Sequence, residues 1–300
     1  MKGIVFKSTG SWYIVRLEDG TIVEARIKGK FRLHGIKSTN PIAVGDKVDL
    51  LHDNEDYTIT EIYERSNYII RKSNNLSKQT HIIASNIDQA ILFVTTTSPL
   101  TSLGFIDRFL VAAASFHIPT VLVFNKYDLL DEDAKEYQQQ VINLYEKIGY
   151  QCLEVSALTG KNMDKAGALL EHKTTLVAGH SGTGKSTLIN KLNPDFNLRT
   201  GIISDFSNKG KHTTTFAEMH ELFKDAFLID TPGIKDFGVV HLEKNEIKDF
   251  MLEFTAIAGK CKFNDCLHIN EPECAVKQAV SNEEISIQRY ESYLSMYYSE

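Results

Sequence analysis

Eight residues, Gly179-His180-Ser181-Gly182-Thr183-Gly184-Lys185-Ser186, carry the spacing G-x-x-x-x-G-K-[ST]. The run 173–178 before them is apolar enough for a short buried strand, and 186–192 after them has a helical pattern. A glycine-rich turn between a strand and a helix aims backbone N–H groups at an anion. Lys185 would reach the β- and γ-phosphates of a nucleotide, and the Ser186 hydroxyl would ligate Mg²⁺, with Thr187 beside it. A glycine turn that matches by accident is the plain alternative. Three further motifs weigh against it. Asn125-Lys126-Tyr127-Asp128 has the N-K-x-D form. An Asp carboxylate there can accept from N1–H and the 2-amino group of guanine, donors that adenine lacks. Ser156-Ala157-Leu158 follows an apolar run and suits the loop that backs the guanine carbonyl. Asp230-Thr231-Pro232-Gly233 ends another apolar run; Asp230 would hold Mg²⁺ through water, and the Gly233 amide would meet the γ-phosphate. Each short motif is weak alone, but four of them at strand ends point to GTP.

Their order is the unusual part. The guanine motifs at Asn125 and Ser156 precede the phosphate loop at Gly179, and Asp230 comes last. An ordinary GTPase begins with the phosphate loop, so the domain must be circularly permuted. A permuted chain can build the same doubly wound sheet because native termini often lie close together. Whatever follows residue 238 is then tethered to the segments that sense the γ-phosphate.

Several elements must position these groups. Alternating strands and helices across 71–238 are what a mostly parallel sheet requires. Its first strand is expected at Ala90–Thr95, with helices over 106–116 and 134–148. The polar stretch 71–80 has the look of a linker. Residues 1–70 predict a small all-β domain: short strands at 4–6, 12–15, 22–25, 47–50 and 57–63, broken by turns such as Glu18-Asp19-Gly20. Five such strands suit an OB-fold barrel. Arg26, Lys28, Lys30 and Arg32, with Lys37, form a basic run without an acid around Phe31, a mixture that OB-folds use for RNA. A solvated loop with Phe31 in the core is the bland alternative.

Between the phosphate loop and Asp230 lies the polar run 207–215. Thr214 is the expected Mg²⁺ ligand there, with Thr213 and Thr215 as rivals. Ile234 stands where many GTPases place a water-orienting Gln. Isoleucine cannot orient water, and His212 is the best substitute in the chain, a surface histidine being the alternative. His180, inside the loop, is expected to shape or pack it.

Residues 239–300 form a separate unit. A helix is expected from Leu242 to Gly259. Cys261, Cys266, His268 and Cys274 then give a complete tetrahedral Zn²⁺ set within fourteen residues. A filled site means a structural metal, whose binding contributes roughly 10–16 kcal/mol in finger peptides and would largely fold so small a unit. Ser281 with Glu284 has the spacing of a capping box, and Tyr290, Tyr293, Leu294 and Tyr297 share a helical face suited to packing. Cys152 stands apart, so the four cysteines are no disulfide framework. A net charge of −6 announces no global affinity for nucleic acid, so any basic surface is local. The start of the chain has no secretory core and no apolar run is long enough for a membrane. A cytoplasmic protein without a membrane partner is expected.

With these residues in order, the chain resembles the ribosome small-subunit-dependent GTPase A family. The motifs NKYD, SAL, GHSGTGKS, KHTTT and DTPG in sequence, then CKFNDCLH and EPEC, carry the resemblance over essentially the whole chain. It implies three domains: an OB-fold RNA-binding domain at 1–70, a circularly permuted P-loop GTPase domain at 71–238 and a helical zinc-binding domain at 239–300. It implies an assembly factor that acts late in 30S maturation, binds 16S rRNA and GTP or GDP, works as a monomer, and hydrolyses GTP under stimulation by the subunit. The family's catalytic histidine falls on His212 and its hydrophobic residue in place of the Gln on Ile234. A GTP-controlled translation regulator and a signalling GTPase with a protein-binding β-domain are the other classes that these motifs permit.

Overall fold

The computed structural model describes residues 1–27, 41–53, 56–72, 80–196, 217–230 and 242–299, with backbone alone at 71, 72, 80, 81 and 230. Five strands come first: β1 (Lys2–Ser8), β2 (Tyr13–Leu17), β3 (Ile22–Ile27), β4 (Lys47–Asp53) and β5 (Asp56–Ile62). Their side chains alternate: β2 buries Tyr13, Val15 and Leu17 and turns Ile14 and Arg16 outward. β1 pairs with β2, β2 with β3, β4 with β5 and β4 with β1, all antiparallel, while β3 and β5 run parallel. That ring closes a barrel with OB topology. Val5, Tyr13, Val15, Val48, Leu50 and Ile59 fill it.

A hairpin follows, β6 (Tyr68–Lys72) with β7 (Thr80–Ser85). The polar stretch expected to be a linker therefore begins and ends in paired strands, with 73–79 outside the described residues. Backbone pairing needs no apolar side chain, so composition concealed these strand ends. Asp46, fully buried, ties barrel to hairpin: it accepts two bonds of 2.6 Å from Arg65, one from Ser85 Oγ (2.6 Å) and one from the Ala43 amide (2.8 Å).

The remaining elements alternate. They are β8 (Gln89–Val94), α1 (Leu103–Ser115), β9 (Thr120–Phe124), α2 (Glu132–Ile148), β10 (Gln151–Glu154), α3 (Met163–Leu170), β11 (Thr174–Gly179), α4 (Lys185–Leu192), β12 (Glu218–Phe223) and β13 (Ala226–Asp230). Three short helices end the chain: α5 (Leu252–Ala258), α6 (Ala275–Ser281) and α7 (Ile287–Tyr298). Ser102 caps α1 by accepting the Phe105 amide; Asp131 caps α2 by accepting that of Ala134, and Gly149 stops it at φ +114°.

The described residues pack into two compact units. The first holds those among 1–91, 164–178 and 185–234. In it β13 runs parallel to β11 and antiparallel to β12, and β12 meets β1 at Lys7 and Glu218. A salt bridge from Lys7 to Glu218 (3.2 Å), another from Arg16 to Glu221 (3.0 Å) and the Phe6–Phe227 ring contact bind that edge to the barrel. The second unit holds those among 92–163, 179–184 and 235–300. Here β9 runs parallel to β10; every residue of β8, which the two units divide after Ile91, is buried.

In the second unit the C-terminal helices share one core with α1: Val111 packs with Met251, Phe254, Val276 and Tyr293. Arg289 of α7 is fully buried, 2.6 Å from Asp107 of α1 and 2.7 Å from Glu253 of α5, and the Tyr145 hydroxyl donates to the same Asp107 oxygen. Burial works against the Arg289 cation, but Asp107 and Glu253 outweigh it and hold its pKa above the ordinary value.

Two expectations for this region fail. The helix drawn from Leu242 to Gly259 is a 3₁₀ turn at Ile247–Phe250 followed by α5, because buried Met251 between them takes an extended backbone. Ser281 and Glu284 form no capping box. Ser281 is the last residue of α6, its hydroxyl donating to the Lys277 carbonyl, and α7 starts after Ser286. Among the described residues no helix is long and apolar enough to cross a membrane.

Candidate functional site

Within the second unit, the loop after β9 and the loop after β10 meet the phosphate loop. Asn125, buried at the end of β9, donates from Nδ2 to the Thr183 carbonyl at 2.9 Å and accepts the Ala157 amide at 3.4 Å. One side chain thus joins the N-K-x-D, S-A-L and G-K motifs. Lys126 takes a left-handed backbone (φ 66°) and donates from Nζ to the Ser98 carbonyl at 2.8 Å. Asp128 accepts the Ser156 hydroxyl, which fixes its carboxylate against the loop after β10. Ser156 Oγ accepts the Thr159 amide in turn, at 3.0 Å.

The phosphate loop needs its glycines. A Cβ at Gly184 would lie 2.3 Å from Asn125 Nδ2, and one at Gly179 would lie 2.7 Å from the Phe93 carbonyl; both residues have positive φ, +88° and +137°. Thr183 is buried and donates from Oγ1 to the His180 carbonyl at 2.9 Å, closing the loop on itself. His180 packs against Phe105 of α1, ring centroids 4.0 Å apart and planes tilted by 31°, in line with its expected packing role. Phe105 carries no motif, and nothing in the sequence pointed to it. Gly182 and Ser181 complete the turn.

In the first unit, Lys185, Ser186 and Thr187 open α4, with Lys185 buried. The parallel register of β11 and β13 brings their C-terminal ends to one edge of the sheet, and Asp230 is the last residue of β13. Arg26 is exposed on β3. Lys28, Lys30, Arg32, His212, Thr213, Thr214, Thr215, Gly233 and Ile234 lie outside the described residues.

The candidate metal centre is a separate constellation. The ligand atoms of Cys261, Cys266, His268 and Cys274 all lie within 4.8 Å of one another. Cys261 Sγ is 3.6 Å from His268 Nδ1 and 4.0 Å from Cys274 Sγ, and His268 Nδ1 is 3.4 Å from Cys274 Sγ. Zinc–sulfur bonds of about 2.3 Å at tetrahedral angles separate ligands by about 3.8 Å, so the donor set fits Zn²⁺. Burial pushes the Cys266 thiol up to about 12 and lowers the His268 pKa. A buried thiolate there calls for a cation to offset its desolvation.

Its loop is held from outside. Tyr290 donates to the His268 carbonyl and Tyr293 to that of Leu267, each at 2.6 Å, and the Glu271 carboxylate accepts the Leu267 and Ile269 amides. The tyrosines read as packing residues pack as expected, with Tyr293 fully buried. They also anchor the ligand loop, a role that helical spacing alone does not reveal.

A family model described as the RsgA GTPase matches residues 62–240, and one described as the RsgA N-terminal domain matches residues 2–59. The chain is similar to the small ribosomal subunit biogenesis GTPase RsgA of Flavobacterium johnsoniae, 53% identical over 300 residues, covering 99% of this chain and 92% of that protein. The Bacteroides fragilis protein of the same name is 51% identical over 297 residues, covering 99% and 96%. Among solved structures, YjeQ from Thermotoga maritima superposes with a TM-score of 0.80 at 34% identity, covering 99% of this chain and 97% of that one. YloQ, described as a circularly permuted GTPase, gives a TM-score of 0.76 at 29% identity, covering 99% and 93%. Barrel, permuted motif order and Cys₃His cluster agree with these matches, and the chain belongs to the RsgA GTPase family of GTP-hydrolysing enzymes.

Proposed function

We propose that the chain is a ribosome-biogenesis GTPase that binds the 30S subunit through 16S rRNA, assists its late maturation and leaves on GTP hydrolysis. The observation that carries the reading is Asn125, whose side chain joins the two guanine-type loops to the phosphate loop. The names of the relatives supply the subunit. In this reading 1–70 contacts RNA, with Arg26, Lys28, Lys30 and Arg32 on phosphates, 71–238 binds and hydrolyses GTP, and 239–300 is the zinc-binding domain. The protein works in the cytoplasm as a monomer.

Asn125, Lys126, Asp128, Ser156 and Ala157 hold the guanine. Gly179 to Thr187 hold the phosphates, and Gly233 bonds the γ-phosphate. Mg²⁺ bound with the nucleotide would offset charge on the β- and γ-phosphates, with Ser186, Thr214 and Asp230 as its ligands. Cys261, Cys266, His268 and Cys274 hold one structural Zn²⁺. Ile234 offers the attacking water nothing, so His212 orients it once the subunit has placed that segment. External completion of a GTPase site is worth roughly 10³–10⁵ in rate.

The test is GTP hydrolysis with and without purified 30S subunits, with 50S subunits and free RNA as controls. Slow turnover alone and fast turnover with 30S is the expected result. His212→Ala should abolish the stimulated rate while leaving nucleotide affinity nearly intact. Equal rates with and without 30S would overturn the subunit as activator.

A further inference from the structure

Trp12 is the single tryptophan of the chain, and it sits in the turn between β1 and β2 with 41% of its surface exposed. An exposed ring is ordinary on its own; here its fixed setting singles it out. The turn fixes its backbone: the Thr9 amide and the Thr9 hydroxyl both donate to the Trp12 carbonyl, each at 3.0 Å. Tyr13 pairs with Ala25, which places Trp12 beside Arg26 on the next rung, on the outer face of the barrel. The Arg26 guanidinium lies 3.7 Å from the ring centroid. Cation and ring therefore hold each other in place before any ligand arrives.

The position matters as much as the pair. OB barrels bind oligonucleotides on the face of their second and third strands and on the loop between the first and second. Trp12 lies in that loop and Arg26 on the third strand. Stacking on an exposed aromatic, with cations along the backbone, is how such barrels hold single strands. Arg26 also opens a run to Lys37 with five Lys or Arg residues and no acid, which favours a polyanion over a protein partner.

We propose that Trp12, braced by Arg26, is a stacking platform for an unpaired base of single-stranded RNA. The proposal rests on the reading of the protein as an RNA-binding factor and adds the residue that reads an open base face rather than phosphate.

The single tryptophan makes the test direct. The full-length protein is titrated with a dodecauridylate, following tryptophan emission and, separately, the anisotropy of the 5′-labelled RNA. The expected result is saturable quenching with the same midpoint as the anisotropy change. Trp12→Phe should bind nearly as well as the parent by anisotropy, and Trp12→Ala at least about fivefold more weakly, the loss expected for one stacked base. Binding with unchanged emission and an equally tight Trp12→Ala variant would overturn the platform, as would failure to bind the RNA at all. Hydrolysis with 30S subunits, run on the same preparation, separates the two readings. Stimulation without a tryptophan response removes the platform and leaves the proposed function standing. Absence of both removes both.

Discussion

Gly184 shows how little room the nucleotide loop leaves at the level of single atoms. A methyl group there would meet Asn125 Nδ2 at 2.3 Å, on a backbone with φ +88°. Gly184→Ala must move Asn125 or break its bond to Thr183, and with it the link between the guanine and phosphate loops. GTP affinity measured by calorimetry should fall about tenfold or more, the equivalent of about 1.4 kcal/mol. The motif residues stand out in the sequence because the proposed chemistry would restrict their type: a carboxylate for guanine, glycine for close approach, lysine for phosphate. The contacts that orient them do not. Phe105 under His180 and Ser98 beside Lys126 come from segments with no motif, and the register of the fold alone brings them there.

Elements were legible where burial was one-sided, as in the barrel strands and α2, and misread where polar groups or breaks decide. Arg71, Lys72 and Thr80 sit in a hairpin held by backbone pairing, and Met251 splits an apparently continuous helix. The buried triad of α1, α5 and α7 had no local signal at all. Replacing Arg289 by Met leaves Asp107 buried without its cation; destabilisation of about 3–5 kcal/mol is expected from denaturant unfolding. The Cys₃His loop offers a second check, with Cys152 as its internal control. Burial, with Glu146 adding to it, pushes the Cys152 thiol up to about 12. The raised value keeps the neutral thiol dominant until the pH nears it, so only ~1 in 10⁴ is thiolate at about pH 8. Chelation opens the loop that the metal would fold and lifts the burial of Cys266, so iodoacetamide at about pH 8 should then label Cys261, Cys266 and Cys274 and spare Cys152, as read by peptide mass spectrometry. Labelling of Cys152 should then rise as the pH is raised.

At the scale of the molecule, the proposed function asks a chain of net charge −6 to hold a polyanionic partner. Local cations must then carry the attraction, and salt should expose them. Binding to 30S subunits, measured by sedimentation across a salt series, should weaken steeply. Replacing Arg26, Lys28, Lys30 and Arg32 with Gln should flatten the log–log slope by about one unit per cation removed. The shared core of α1 with the C-terminal helices has a consequence of another kind. Arg289 and Tyr293 belong to the last helix, yet Asp107 and Val111, near the beginning of the second unit, depend on them for charge and cover. A gene fragment that stops short of α7 would encode a nucleotide domain with a stranded carboxylate and an open apolar seam. The Cys₃His tail and the GTPase core therefore have to be inherited together.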